Sequence, residues 1–167
     1  MPSQNQGATR QRYTVIPRTL IFLTRGQEIL LLKGAPHKRL WAGLYNGLGG
    51  HIERGEDPLT AARRELTEES GLHADLWLAA TVTIDTGSDS LGILLFVFRG
   101  EVTGGRLRPS EEGEAHWLPL ADLDPLPLVE DLRTLLPDIL RQPAGAPPLH
   151  YLYTYDDAGR LHIASAN

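Results

Sequence analysis

The chain of 167 residues contains no cysteine. That excludes disulfides, zinc–thiolate sites, iron–sulfur clusters and a cysteine nucleophile, and it fits a reducing cytoplasm, the expected compartment. Lysine is nearly absent too, Lys33 and Lys38 being the only two. Acidic residues outnumber basic ones 21 to 16, for a formal net charge of −5. Neither a nucleic acid polymer nor an anionic membrane is expected as primary partner, because both want a basic surface. No apolar run is long enough to span a bilayer. Leu91–Phe98 is a strand's worth, whereas a spanning helix needs ~20 apolar residues. The opening MPSQNQGATRQR lacks the apolar segment of a secretory signal.

What remains is a globular composition, 41% hydrophobic and 22% charged, in a length that suits one domain. The polar, aperiodic start predicts a flexible tail over 1–12, one domain over 13–163 and a short tail over 164–167. TLIFLT (19–24) and EILLLK (28–33) read as a hairpin turning at Gly26. Residues 57–70 read as a helix, with Asp57 at its N-terminus, Pro58 in the first turn and Gly71 closing it. AATVTI and LGILLFVFRGEV read as strands, HWLPL as a short strand before a proline elbow, and Val129–Arg141 as an amphipathic helix. HYLYTYDDAGRLHIA reads as a last hairpin. The order β-β-β-α-β-β-α-β-β predicts an α+β domain with a mixed sheet and helices on its faces.

The chemistry concentrates in residues 50–72, GHIERGEDPLTAARRELTEESGL. Glu65, Glu68 and Glu69 stand at i, i+3 and i+4, on one helix face. Like charges at that spacing repel, and a divalent cation removes the penalty; Mg²⁺ takes oxygen ligands from a few carboxylates, water and phosphate. Taken alone the run reads more readily as a solvated acidic face, which is what most charge runs are. Leu59, Ala62 and Leu66 lie on another face and should pack against the sheet. Arg64 neighbours the carboxylates and can pair with Glu56 or Glu68, holding ligands in place.

The whole segment matches G-x5-E-x7-R-E-U-x-E-E-x-G-U (U, bulky aliphatic) at every specified position, and so resembles the Nudix box of the Nudix hydrolases. The resemblance implies an α/β/α sandwich with a mixed central sheet. It also implies hydrolysis of nucleoside diphosphates linked to another group, with Mg²⁺ as cofactor and Mn²⁺ as substitute. Carried onto this chain, the metal ligands would be Glu65, Glu68, Glu69, the Gly50 carbonyl and a glutamate five residues before a Trp. Glu112 precedes Trp117 by that spacing, with Glu111 as the neighbouring alternative. The catalytic set would be Glu65, Glu68, Glu69, Glu112 and Arg64, with Glu68 or Glu69 as base or water-orienting residue.

The stretch RLWAGLYNGLGGHIERGE is similar to the MutT-like nucleoside triphosphate hydrolases, the oxidised-purine type above all. There an Asn reads the base edge, and Asn46 matches it; the alternative is a turn residue before Gly47. Trp41 and Tyr45 are candidates to stack on a base, or else loop and core anchors; Lys33 is counted with them as substrate-binding. The oxidised-purine enzymes carry a Trp and an acidic pair where this chain has PLPLVED, which offers Glu130-Asp131 and no Trp. No Pro lies between Pro58 and Pro109, no Tyr between Tyr45 and Tyr151, and there is no SQPWPxPxS. The markers of ADP-ribose, diadenosine-polyphosphate and NADH types are thus missing. The expectation is a pyrophosphohydrolase of a (deoxy)nucleoside triphosphate such as 8-oxo-dGTP, a small-molecule enzyme working as monomer or homodimer. The alternatives are a hydrolase of nucleoside diphosphates or other X-linked diphosphates, and a non-catalytic nucleotide-binding domain.

Overall fold

In the computed structural model, residues 12–166 are described. The expected N-terminal tail therefore lies, but for residue 12, outside the described residues. Strands are β1 (Thr14–Arg25), β2 (Glu28–Gly34), β3 (Tyr45–Asn46), β4 (Leu72–Asp85), β5 (Leu91–Gly105), β6 (Gly113–Pro119), β7 (Leu149–Tyr155) and β8 (Leu161–Ser165). Helices are α1 (Pro58–Ser70) and α2 (Leu132–Arg141). The short strand expected at HWLPL is the second half of β6, which the expected string of elements leaves out, so the order has one strand more than that string. β8 extends beyond the expected domain end at 163, pairing Ala164 and Ser165 with Leu152 and Tyr151.

β1 lies parallel to β5 along almost its whole length, and the sheet continues β5-β4-β7-β8. β1 meets β2 only over Leu23–Arg25 and Glu28–Leu30, at the hairpin where Gly26 takes φ +57°. Beyond that the two strands splay. β2 turns to β6 on one edge and to β3 on the other. The edge of β1 that β2 leaves is taken by the glycine loop. Thr19 N–H donates to the Gly50 carbonyl at 2.8 Å, Ile21 N–H to Leu48 at 2.7 Å, and Ile52 N–H to Pro17 at 3.1 Å.

Strand alternation sorts the core into two layers. Ile21, Leu23, Leu30, Leu32 and Phe98 face α1, meeting Ala62 and Leu66 with Leu59 at the margin. Leu20, Phe22, Ile29, Leu31, Val82 and Val97 face α2, meeting Leu132, Leu135, Leu136 and Ile139. The result is an α/β/α sandwich around a mixed sheet. α1 is bounded as its sequence predicts. The Asp57 carboxylate accepts from Leu59 N–H and Thr60 N–H, and Gly71 closes the helix at φ +74°. α2 begins three residues later than its periodicity suggests. The Pro127 carbonyl and Val129 amide are taken by the backbone of Tyr45, at 2.8 and 3.0 Å. That clip holds Glu130 and Asp131 at the helix mouth.

Candidate active site

Two elements build the carboxylate cluster: the glycine loop fixed on β1, and the α1 face laid over it. Arg64 is the hub. Its Nε and Nη2 donate to the two oxygens of Glu56 at 2.7 and 3.0 Å, its Nη1 to Glu65 at 2.9 Å and Glu68 at 3.2 Å, and its Nη2 also to the His51 carbonyl at 3.0 Å. The Arg64 bond holds the Glu56 carboxyl below its usual range, helped by the Glu53 amide. Glu65 lies directly against Gly50, so that a Cβ there would sit 2.6 Å from its carboxyl carbon. Glu69 is buried, and its Oε2 accepts from Gly49 N–H at 2.7 Å. Burial pushes its carboxyl up to about 8, against the pull of the Gly49 bond, with Glu65 and Glu112 adding to the rise. Glu68 is the exposed member, 60% open.

Glu112 arrives from the loop before β6. Its carboxylate pairs with the ammonium of Lys38, and its carbonyl accepts from Ala35 N–H at 3.0 Å. Among the described residues, no three Asp, Glu or His side chains converge on one point as they stand. Each carboxylate is instead matched by a stand-in donor: Arg64 for Glu65, the Gly49 amide for Glu69, Lys38 for Glu112. An all-oxygen set on a loop with room for no Cβ suits a hard divalent cation. The residues that would hold it are Glu65, Glu68, Glu69, Glu112 and the Gly50 carbonyl.

A cleft of about 1080 Å³ opens beside this cluster, ample for a nucleotide-sized ligand. Glu69 and Glu112 stand in its wall. Arg18 and Leu20 of β1, Leu95 of β5, Ile84 of β4 and Tyr153 of β7 form a floor where α2 leaves the sheet uncovered. Asn46, Lys38, Arg39 and Trp41 border one side, and Glu130 and Asp131 another. Burial pushes the Asp131 carboxyl up from its ordinary value. The Tyr153 hydroxyl is buried beside it and completes no hydrogen bond of good geometry. Burial first, and then the Asp131 charge, pushes that phenol up as well.

The cleft gathers Asn46, Trp41, Glu69 and Glu112 of the residues expected from sequence. It does not gather Tyr45 or Lys33. Lys33 and Tyr45 are cross-strand partners one position out of phase with Leu32 and Asn46, so they point the other way. There the Lys33 ammonium sits 5.6 Å from the Tyr45 ring centre, and Tyr45 packs edge-on to His116. Asn46 combines its two readings. Its Oδ1 accepts from Gly47 N–H at 2.8 Å, as a turn residue would, and its amide nitrogen stays free to donate. Trp41 sits on the rim, 42% exposed, with φ +58°. Sequence reasoning passed over Arg18, Lys38 and Arg39. The only signal for the last two was a basic pair inside a Gly- and Pro-rich loop.

The NUDIX domain family model matches residues 15–139, which run from β1 into α2 and take in the whole carboxylate cluster. The chain belongs to the Nudix family. It is similar to the oxidized purine nucleoside triphosphate hydrolase of Mus musculus, 34% identical over 64% of this chain and 71% of that protein. It is also similar to the NAD-capped RNA hydrolase NudC of Stutzerimonas stutzeri, 29% identical over 78% of this chain. The chain spans about half the length of the latter, 46%. Among solved structures, the MutT protein of Bacillus halodurans superposes with a TM-score of 0.76 at 22% identity, covering 91% of this chain and 98% of that one. That likeness carries the fold. As a Nudix hydrolase the protein is an enzyme acting on small-molecule nucleotides, in a family that works with divalent metals. Among the described residues no helix is long and apolar enough to cross a membrane.

Proposed function

We propose that this Nudix hydrolase is a Mg²⁺-dependent pyrophosphohydrolase of (deoxy)nucleoside triphosphates, with oxidised purines such as 8-oxo-dGTP as preferred bases, working in the cytoplasm. The observation that carries the reading is one continuous cleft. It runs from the carboxylates of buried Glu69 and exposed Glu112 to an end bordered by Asn46, Asp131 and Tyr153. Polyphosphate needs the first end and base selection needs the second.

In this reading Glu65, Glu68, Glu69, Glu112 and the Gly50 carbonyl hold the metal. The bound ion supplies charge neutralisation at the phosphate oxygens and a more acidic water. Water attacks phosphorus, the P–O bond of the anhydride breaks, and nucleoside monophosphate and pyrophosphate leave. Glu69 or Glu68 takes the water's proton. Glu69 suits the part by its place, buried in the cleft wall and held by the Gly49 amide. Arg64 keeps Glu65 and Glu68 from recoiling from each other. The Asn46 amide nitrogen donates to an acceptor on the base edge. Asp131, whose proton affinity burial raises, borders the same end of the cleft and faces the base edge. Glu130-Asp131 stands at the cleft without the Trp that the oxidised-purine enzymes carry there, and Tyr153 lines the cleft as well.

The test is a product assay, with Mg²⁺ and separately with EDTA. The panel holds normal and oxidised triphosphates, nucleoside diphosphates, ADP-ribose, dinucleotides and NAD-capped RNA. Pyrophosphate release from an oxidised purine triphosphate, abolished by EDTA, is the expected result. Orthophosphate from diphosphates, or cleavage of the NAD cap in preference, would overturn the substrate assignment. Nucleotide binding without any turnover would overturn the catalytic one.

A further inference from the structure

We propose that Lys38 is a phosphate-binding residue held in reserve: its ammonium neutralises Glu112 until a divalent cation takes that carboxylate, and it is then released to the substrate's phosphate chain. The inference rests on the metal role proposed above for Glu112.

Four observations carry it. First, the Lys38 ammonium pairs with the Glu112 carboxylate, and both side chains line the cleft beside Glu69. Second, the pairing is built by the backbone. β2 and β6 end side by side at Gly34 and Gly113. Ala35 N–H donates to the Glu112 carbonyl, and Lys38 N–H closes a turn on the Ala35 carbonyl, each at 3.0 Å. The lysine is thus anchored on the residue it neutralises. Third, the side chains are 33% and 47% exposed. An ion pair in that setting contributes little to stability, so giving it up is cheap. Fourth, Lys38 shares the cleft with Arg18 and Arg39, and while it is paired with Glu112 its charge is spent on that carboxylate. A divalent ion at Glu112 would free an ammonium on a long, flexible stem within the same cleft. Cation and polyphosphate would then bind with mutual support.

The experiment uses the full chain. Mn²⁺ binding is titrated by electron paramagnetic resonance without nucleotide, and steady-state kinetics are measured on the preferred triphosphate. Lys38→Met is expected to bind Mn²⁺ about two- to fivefold more tightly, the factor a half-exposed ion pair supports. Its KM should rise about tenfold, the worth of one charge-assisted phosphate contact, with kcat within about threefold. Lys38→Arg should restore most of the KM. Unchanged or weaker Mn²⁺ binding in Lys38→Met would overturn the proposal, because Lys38 would then be an ordinary surface partner or a support for Glu112. An unchanged KM would overturn it too. Glu112→Gln separates the layers: it should weaken Mn²⁺ binding. If it does not, the metal role of Glu112 fails and the proposal falls with it, whatever Lys38→Met does.

Discussion

Adding one methyl group at Gly50 probes the close contact between the glycine loop and Glu65. A Cβ there would stand 2.6 Å from the Glu65 carboxyl carbon and 2.8 Å from Oε2, with Oε1 nearer still, where ordinary contact is 3.4–4 Å. The backbone has little freedom to yield, because the Gly50 carbonyl accepts from Thr19 N–H at 2.8 Å within the β1 edge. The carboxylate must therefore retreat by about 1 Å. Retreat breaks its 2.9 Å bond to Arg64, between side chains 28% and 14% exposed. A charge-assisted bond is worth about 1.5–3 kcal/mol, discounted here to about 1–2 for partial exposure. At ~2–4 °C per kcal/mol for a chain of this size, Gly50→Ala should lower Tm by about 2–8 °C. The larger effect is kinetic, since an ångström's misplacement of a metal-holding group costs on the order of 10²-fold in kcat. Gly55→Ala is the control. Its φ is +90° but nothing lies within 4 Å of the added carbon. The left-handed backbone costs about 1–2 kcal/mol, a similar loss of Tm, with kcat unchanged. Melting curves and Mg²⁺-dependent turnover of both variants decide the matter. If Gly50→Ala keeps full turnover, or if Gly55→Ala loses as much, the contact with Glu65 does not govern the site.

Three further outcomes are expected. Leu66→Ala empties a fully buried position under α1 and should cost about 2–5 kcal/mol, read by chemical denaturation. Asn46→Ala removes the amide donor from the cleft and should lower kcat/KM about 5- to 100-fold for the preferred base, measured against a second base that loses less. Asp131 gives a pH dependence whose sign is fixed. Its folded proton affinity lies above the unfolded value because of burial. Its cost to folding is absent below about pH 4 and grows as pH rises through the raised folded value. Asp131→Asn should therefore raise Tm at neutral pH and flatten that part of the Tm–pH curve. A neutral-pH Tm that drops in the variant would count against a desolvated carboxyl.

The parts legible in the sequence were those that local chemistry writes. Asp57, Pro58 and Gly71 bound α1, and Arg64, Glu65, Glu68 and Glu69 share a face because 3.6 residues make a turn. Arg64 reaches Glu56 and Glu68 as its position suggests. The order and class of the sandwich were also legible, because its strands alternate and its helices carry one apolar face. What escaped depends on pairing between distant segments. Tyr45 and Lys33 were counted on the substrate side, yet the register of β2 on β3 turns both away and brings Asn46 inward. Lys38 and Arg39 sit in a loop without periodicity, and only the meeting of β2 with β6 sets Lys38 against Glu112. The late start of α2 arises from a backbone clip on Tyr45, eighty-odd residues earlier in the chain.

The splaying of β1 from β2 makes the two walls of the cleft mechanically unlike. On one wall the amides of Thr19, Ile21 and Leu48 belong to the sheet's own hydrogen-bond lattice. They should exchange with solvent deuterium only when the sheet itself opens. The facing wall, residues 35–43, hangs from Gly34 and Ala35 by a handful of bonds and should exchange orders of magnitude faster. A change in exchange on substrate binding is then expected first on the side of Lys38 and Trp41, and least along the β1 edge.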